Sequence, residues 1–285
     1  MHRAEMLSFA VALAGSRRFR PPDQGSGGPS GVFAGAGAGQ SADFHDSREY
    51  QPGDDPRRVD WRAYARNGQL RLKQFREEVS PTVEFFLDTS ASMALYPGKE
   101  ETALFAVAFL RQAVLAAEGR PVLCRDGRRF SGDDFGPAWA ETEFSGSGGT
   151  DLPDGGAPAR PLRFFLSDYL FGDSLESWFR RRAAGSLRFV PLLILCRSER
   201  EPPWRGRRRM FDVEHPGSAL DLTITGEDAS RYRERLKRHE EGLEREARRL
   251  GGRLLRLDAP DRALDRGDCL AIVRRLAGEG VVTVR

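Results

Sequence analysis

The spacing of apolar and polar positions changes near residue 82. Before it the chain is broken: residues 6–14 are apolar at helical spacing, 21–40 are Gly, Ser, Pro and Ala, and 41–58 are dense and polar. Gln51-Pro52-Gly53-Asp54-Asp55-Pro56 is a strong turn signal. Trp61, Tyr64 and Ala65 follow at helical spacing, and residues 70–75 alternate apolar and basic as a half-exposed strand does. From Thr82 onward short apolar runs alternate with longer helical patterns. Strands are predicted at 83–87, 121–125, 162–166, 187–195, 253–257 and 281–282, and helices at 100–117, 174–182, 228–250 and 269–276. Residues 131–161 read as irregular and 204–225 as an inserted hairpin. Helix 228–250 carries one stripe, Tyr232, Leu236, His239, Leu243, Ala247 and Leu250, with Arg and Glu elsewhere. Strands alternating with helices predict an α/β fold, a Rossmann-like, mostly parallel sheet covered on both faces. Three segments follow: a helix and linker at 1–40, a polar segment at 41–80, and the α/β domain at 81–285 with its insertion near 204–225.

Composition narrows the class. The 285 residues are 39% apolar and 31% charged, enough to bury a core. Mean hydropathy is −0.52, and no apolar run approaches the roughly 18 residues of a membrane span. The 45 basic residues include three lysines, Lys73, Lys99 and Lys237, the rest being arginine, and 42 acids interleave with them to leave a net charge of +3. A nucleic-acid binder concentrates its excess on one face, so none is expected as a partner. Cys124, Cys196 and Cys269 are odd in number and widely spaced, which argues against a disulfide framework or a zinc site. Residues 6–14 have the length of a signal-peptide core, but Arg3 is offset by Glu5. A first amphipathic helix and a cytoplasmic location are expected instead.

Two predicted strands end in a carboxylate, at the sheet edge where α/β proteins bind ligands. The first gives Asp88-Thr89-Ser90-Ala91-Ser92, the second Ser167-Asp168, and a Gly-rich loop between them ends in Thr150-Asp151. Asp88, Ser90, Ser92, Thr150 and Asp168 are hard oxygen donors, suited to Mg²⁺, with Mn²⁺ as an alternative of the same kind. The competing explanation is a local turn and helix cap, for which Ser and Asp are favoured whatever the function.

The order D-x-S-x-S, Thr, Asp resembles the metal-ion-dependent adhesion site of von Willebrand factor A domains. The block from Arg48 to Arg66, with Pro52-Gly53-Asp54-Asp55 and Asp60-Trp61, resembles the hallmark of the bacterial domain of unknown function 58 family, short soluble type. Phe211-Asp212-Val213-Glu214-His215-Pro216 is similar to a stretch of those members. The resemblance implies a von Willebrand factor A-like fold, Mg²⁺ on Asp88, Ser90 and Ser92 with Thr150 and Asp168 contributing directly or through water, and often an acid from a partner completing the coordination. It also implies a partner, a MoxR-type AAA+ ATPase, and a role in maturing or assembling other proteins without catalysis. The chain departs from the family after Thr150, where Pro153, Pro158 and Pro161 exclude the usual helix, so a crossover helix is expected to be missing and the sheet order or the loop altered. Two alternatives stand beside the binding module. One is a scaffold whose site holds no metal. The other is a haloacid-dehalogenase-like phosphatase, whose second acid would fall at Ser90. In the 52–60 block, charges form a docking network with Trp61 and Tyr64 as apolar anchors, or a partner surface.

Overall fold

The computed structural model describes residues 2–15, 17–19, 34–35, 42–51, 59–78, 82–144, 161–170, 174–215 and 217–284. The chain divides into two compact units, Met1–Gly25 with Thr82–Arg285, and Ser26–Pro81. It begins with helix α1 (Arg3–Ala14) and strand β1 (Arg17–Phe19). The second unit holds β2 (Ala34–Gly35), β3 (Ala42–Glu49), α2 (Trp61–Asn67) and β4 (Arg71–Glu78), and its three strands form an antiparallel sheet in the order β2-β4-β3. Strand β3 has no apolar alternation, and its pairing with β4 is what makes it a strand. Asp60 caps α2 by accepting hydrogen bonds from the Arg62 and Ala63 amides, both 3.1 Å. Trp61 and Tyr64 pack edge to face on each other (6.2 Å, 89°), and within this unit both side chains are exposed. A helix of seven residues rich in arginine has no continuous apolar face to bury them. Residues 52–58, with most of the acidic turn, lie outside the described residues.

The first unit resumes with β5 (Thr82–Leu87), α3 (Pro97–Ala116), β6 (Arg120–Arg125), β7 (Arg128–Ser131), α4 (Phe135–Ala140), β8 (Leu162–Ser167), α5 (Leu175–Ala183), β9 (Arg188–Cys196) and the short α6 (Arg197–Arg200). Then come β10 (Gly206–Phe211), β11 (Ala219–Ile224), α7 (Gly226–Arg249), β12 (Leu255–Ala259), α8 (Arg266–Gly278) and β13 (Val282–Val284). The main sheet runs β12-β9-β8-β5-β6-β7, parallel throughout except for β7. Counted from β5 as the first strand, this is the order 3-2-1-4-5-6 of doubly wound dinucleotide folds, which reverses between β5 and β8. The sheet order is therefore regular, although residues 145–160 lie outside the described residues. Part of the segment expected to be irregular is instead α4, and β7 just before it was not expected. The terminal strand, expected at 281–282, pairs antiparallel with β1.

Alternation along the strands sorts their side chains into two cores. Val83, Phe85 and Leu87 of β5, Phe164 and Leu166 of β8, and Val190, Leu192 and Ile194 of β9 face the core shared with α1, α3, α4 and α8. Phe86, Phe165, Phe189, Leu193 and Leu195 face the core of α5 and α7, where Leu236, Leu243 and Ala247 are the buried part of the predicted stripe. Ring pairs Phe85–Phe164 and Phe86–Phe165 stack across β5 and β8 at 5.7 and 5.6 Å. The first helix, remote in sequence, buries Met6, Ala10 and Ala14 in the first core, a four-residue spacing that makes one stripe. No helix among the described residues is long and apolar enough to cross a membrane.

A buried acid on the sheet is paired with two arginines. Glu84 accepts from Arg163 Nε at 2.8 Å across the β5–β8 register and from Arg129 Nε at 3.0 Å, while Arg163 also donates to the carbonyls of Arg182 and Ala184. Removing one partner of a buried pair leaves an uncompensated charge, whereas replacing both with apolar residues does not. Glu84→Ala is expected to lower unfolding free energy by about 3–5 kcal/mol, and Glu84→Leu with Arg163→Met to recover most of it. Denaturant midpoints at unchanged slope check this.

Candidate functional site

Strands β5 and β8 lie at the reversal of sheet order, so their carboxyl ends open the crevice where such folds bind ligands. Asp88 and Asp168 stand at those two ends, and both are buried. The Asp88 amide continues the ladder to the Leu166 carbonyl at 3.0 Å. Its carboxylate accepts from the Ser90 amide on Oδ1 (3.0 Å) and from the Ser167 hydroxyl on Oδ2 (2.5 Å). Burial, and then the nearby charge of Asp168, push the Asp88 pKa above the ordinary carboxylate value against those hydrogen bonds. Asp88 and Asp168 thus stand at neighbouring strand ends, and the charge of one is felt at the other.

After Asp88 a short 3₁₀ turn, Ala91–Ala94, folds the Ser90 and Ser92 side chains together, their hydroxyl oxygens 3.1 Å apart. Mg²⁺ holds its oxygens at 2.0–2.1 Å in an octahedron, so adjacent vertices are about 3.0 Å apart. The hydroxyl pair matches that edge, and the donor set is chemically right for the ion. Among the described residues, however, no group of three or more His, Cys, Asp or Glu side chains is gathered as a metal site. The candidate set rests on two carboxylates and hydroxyls. Thr150 lies outside the described residues.

Sequence reasoning missed three participants. Lys99, wholly buried in the first turn of α3, donates to Asp168 Oδ2 at 2.8 Å, Glu199 Oε1 at 2.6 Å and the Ser92 carbonyl at 3.0 Å. An ammonium has three protons, and all three are used. Burial pulls its pKa down, but Asp168 and Glu199 outweigh burial, and the net shift is upward. Cations are disfavoured at a helix N-terminus, so these two acids are what keeps Lys99 there. The helix begins earlier than its apolar pattern because Pro97 suits the first position. Gly98 is needed beside it, since a Cβ would fall 2.0 Å from the Pro260 carbonyl oxygen. Glu199 belongs to α6, where its other oxygen accepts from the Cys196 amide at 2.7 Å, and its backbone carbonyl accepts from the Tyr232 hydroxyl at 2.6 Å. Glu214, in the turn between β10 and β11, accepts from the Ser92 amide at 2.8 Å. One signal for Lys99 was present: it is one of three lysines among 45 basic residues, where the chain otherwise uses arginine.

Tyr169 locks the second strand end. Its φ of 57° is in the left-handed region, which bulky residues avoid. Holding such a residue there costs on the order of 1–3 kcal/mol. Its amide donates to the Ser167 hydroxyl at 2.8 Å, its own hydroxyl donates to the Phe165 carbonyl at 2.8 Å, and its ring is fully buried against Trp178 and Phe179. Ser167 therefore relays between the strained turn and Asp88. Burial pushes the thiols of Cys196 and Cys269 up to about 12, so at neutral pH they are protonated.

Residues 46–124 match a family model described as a protein of unknown function, DUF58. The match runs from the polar block through β5, the D-x-S-x-S loop and Lys99 to β6, and stops before Asp168. No curated protein and no solved structure matches the chain.

Two outcomes follow from the charge arrangement. Asp88→Asn keeps an acceptor for the Ser90 amide and removes a buried charge, so in metal-free buffer its melting temperature should exceed the wild type's, by about 2–4 °C for each kcal/mol gained. A lower value would show that Asp88 is a purely structural anchor. Lys99→Met leaves Asp168 and Glu199 facing each other without a cation and should lower stability by about 3–5 kcal/mol in denaturant titrations.

Proposed function

We propose that this protein is a Mg²⁺-dependent protein-binding module of the von Willebrand factor A type, with the ion held by Asp88, Ser90, Ser92 and Asp168. The observation that carries this reading is the hydroxyl pair 3.1 Å apart beside Asp88, at the reversal of the sheet. Charge supports it as well. Asp88, Asp168 and Glu199 are buried acids, and Lys99 supplies a single positive charge to the last two, while no ion pair reaches Asp88 among the described residues. In the resembled family Thr150 completes the set. A bound Mg²⁺ would offer a coordination position to an acidic side chain of a partner. The protein's own groups do the rest: Ser167 and the Ser90 amide orient Asp88, Lys99 fixes Asp168, and Tyr169 keeps the second strand end rigid.

Binding rather than catalysis is favoured by the state of Asp88. Both its oxygens already accept hydrogen bonds, which engages the lone pairs a nucleophile would use, and the acid a phosphatase needs two residues on is Ser90. The partner proposed is a MoxR-type AAA+ ATPase, on the resemblance of the 48–66 block, with protein maturation or complex assembly as the joint task. One observation favours a second reading, a scaffold that holds no metal: the Lys99 ammonium already does for Asp168 what a cation would do.

Calorimetric titration with Mg²⁺ and Mn²⁺ separates the two. Saturable binding that Asp88→Ala abolishes and Ser90→Ala weakens is the expected result, and a titration without heat in the wild type leaves the scaffold. Capture of a MoxR-type ATPase from the same cell should fall in EDTA and with Asp88→Ala; capture equal in all conditions removes the metal bridge.

A further inference from the structure

The hairpin β10–β11 is exposed along both strands, with Phe211 63% and Leu220 64% accessible. Register places Met210 opposite Leu220 and Arg208 opposite Leu222, so Met210, Leu220 and Leu222 share one face of the ribbon while Phe211, opposite Ala219, lies on the other. A two-stranded ribbon is marginal in water without further packing. Its turn nevertheless reaches the candidate site, where Glu214 accepts a hydrogen bond from the Ser92 amide at 2.8 Å, 122 residues away in sequence. The turn is shaped for this. Asp212 Oδ1 accepts from the amides of Glu214 and His215 at 2.9 and 3.3 Å, and Asp212 Oδ2 faces His215 Nδ1 at 3.2 Å. Those contacts fix the backbone that projects Glu214.

Ser92 is thus held from two sides. Its carbonyl accepts from Lys99, its hydroxyl pairs with Ser90, and its amide is covered by a carboxylate from a remote insertion. A turn or cap would have been satisfied by a local acceptor. Instead an acid arrives beside the hydroxyl pair on a ribbon that is otherwise largely solvent-exposed.

We infer that Glu214 is the chain's own ligand at this site, holding the Ser92 amide beside the ion position that an acidic side chain of a protein partner takes, and that a partner gains the site by lifting the hairpin. This rests on the binding-module reading. The self-supplied carboxylate lowers the apparent affinity for the partner's acid by the fraction of molecules in which the hairpin is raised.

The first measurement needs no metal. In the full chain in EDTA, amide hydrogen exchange at Ser92 should be slow in the wild type and at least about tenfold faster in Glu214→Ala, with circular dichroism unchanged. Equal exchange in the two proteins overturns the proposal. The second uses an acetylated hexaglutamate peptide in Mg²⁺. Glu214→Ala should bind it at least about tenfold more tightly than the wild type, and bound peptide should restore slow exchange at Ser92. Equal binding to both proteins, or binding to neither, overturns it. Failure of the metal reading appears separately, as absent Mg²⁺ heat in the wild type, and leaves the EDTA exchange result to stand on its own.

Discussion

The site depends on the balance of a single buried ammonium against the acids around it. Lys99 reaches the 3₁₀ turn after β5, the carboxylate ending β8 and the acid that follows β9, so one side chain ties together three strand ends of the sheet. An ion pair withdrawn from water is favourable only when every proton and lone pair near it has a partner. Here each ammonium proton has one, Asp168 Oδ1 accepts from the Leu170 amide at 3.0 Å, and Glu199 Oε2 accepts from the Cys196 amide. Arginine could not substitute, because a planar fork with five donors would bring two more protons into a space that offers three acceptors. That explains why a lysine survives here in a chain that otherwise uses arginine.

What the ammonium leaves undone is as informative as what it does. Asp88 sits on the same edge, is as buried as Asp168, and is pushed up in pKa by burial and then by that neighbour. A folded protein can tolerate a buried carboxylate held by hydrogen bonds, but placing two such acids at adjacent strand ends, with a cation for only one of them among the described residues, works against stability. Tyr169 adds backbone strain at the same point, and the aromatic cluster of Phe165, Trp178 and Phe179 is what absorbs it. Strain and unbalanced charge concentrated at one sheet edge are the pattern expected where geometry serves binding rather than folding.

The parts of this arrangement that could be read in the sequence are those written in local pattern. Val83 to Leu87 is an apolar run cut short by Asp88, and Leu162 to Leu166 is cut short by Ser167-Asp168; the abrupt change of polarity marks a strand end whatever the tertiary structure. The hairpin at 206–224 and the long α7 were legible for the same reason. Strands β3 and β7 were not, because their side chains do not alternate and only their neighbours make them strands. Lys99, Glu199 and Glu214 were illegible for a different reason. Each is a charged residue in a polar stretch, indistinguishable from a solvated surface group until the fold folds it inward. Thr150 and the acidic turn at 52–58 fall on residues outside those described.

The first helix shows the same limit from the apolar side. Its composition was plain, but its partner was not: Met6, Ala10 and Ala14 lie against α3, beyond a Gly-rich segment that separates them in sequence. Because α3 also carries Lys99 in its first turn, the packing of α1 bears on the site although no residue of α1 touches it among the hydrogen bonds described. The core that α1, α3 and α8 build is therefore what holds the ammonium at the sheet edge. A helix free to shift along its axis would move Lys99 relative to Asp168 and Glu199, and Gly98 closes that route by letting the Pro260 and Arg262 carbonyls press directly on the first turn. Close packing at one glycine and charge balance at the next residue act on the same turn, so the position of the ammonium is set by sterics before electrostatics has anything to hold.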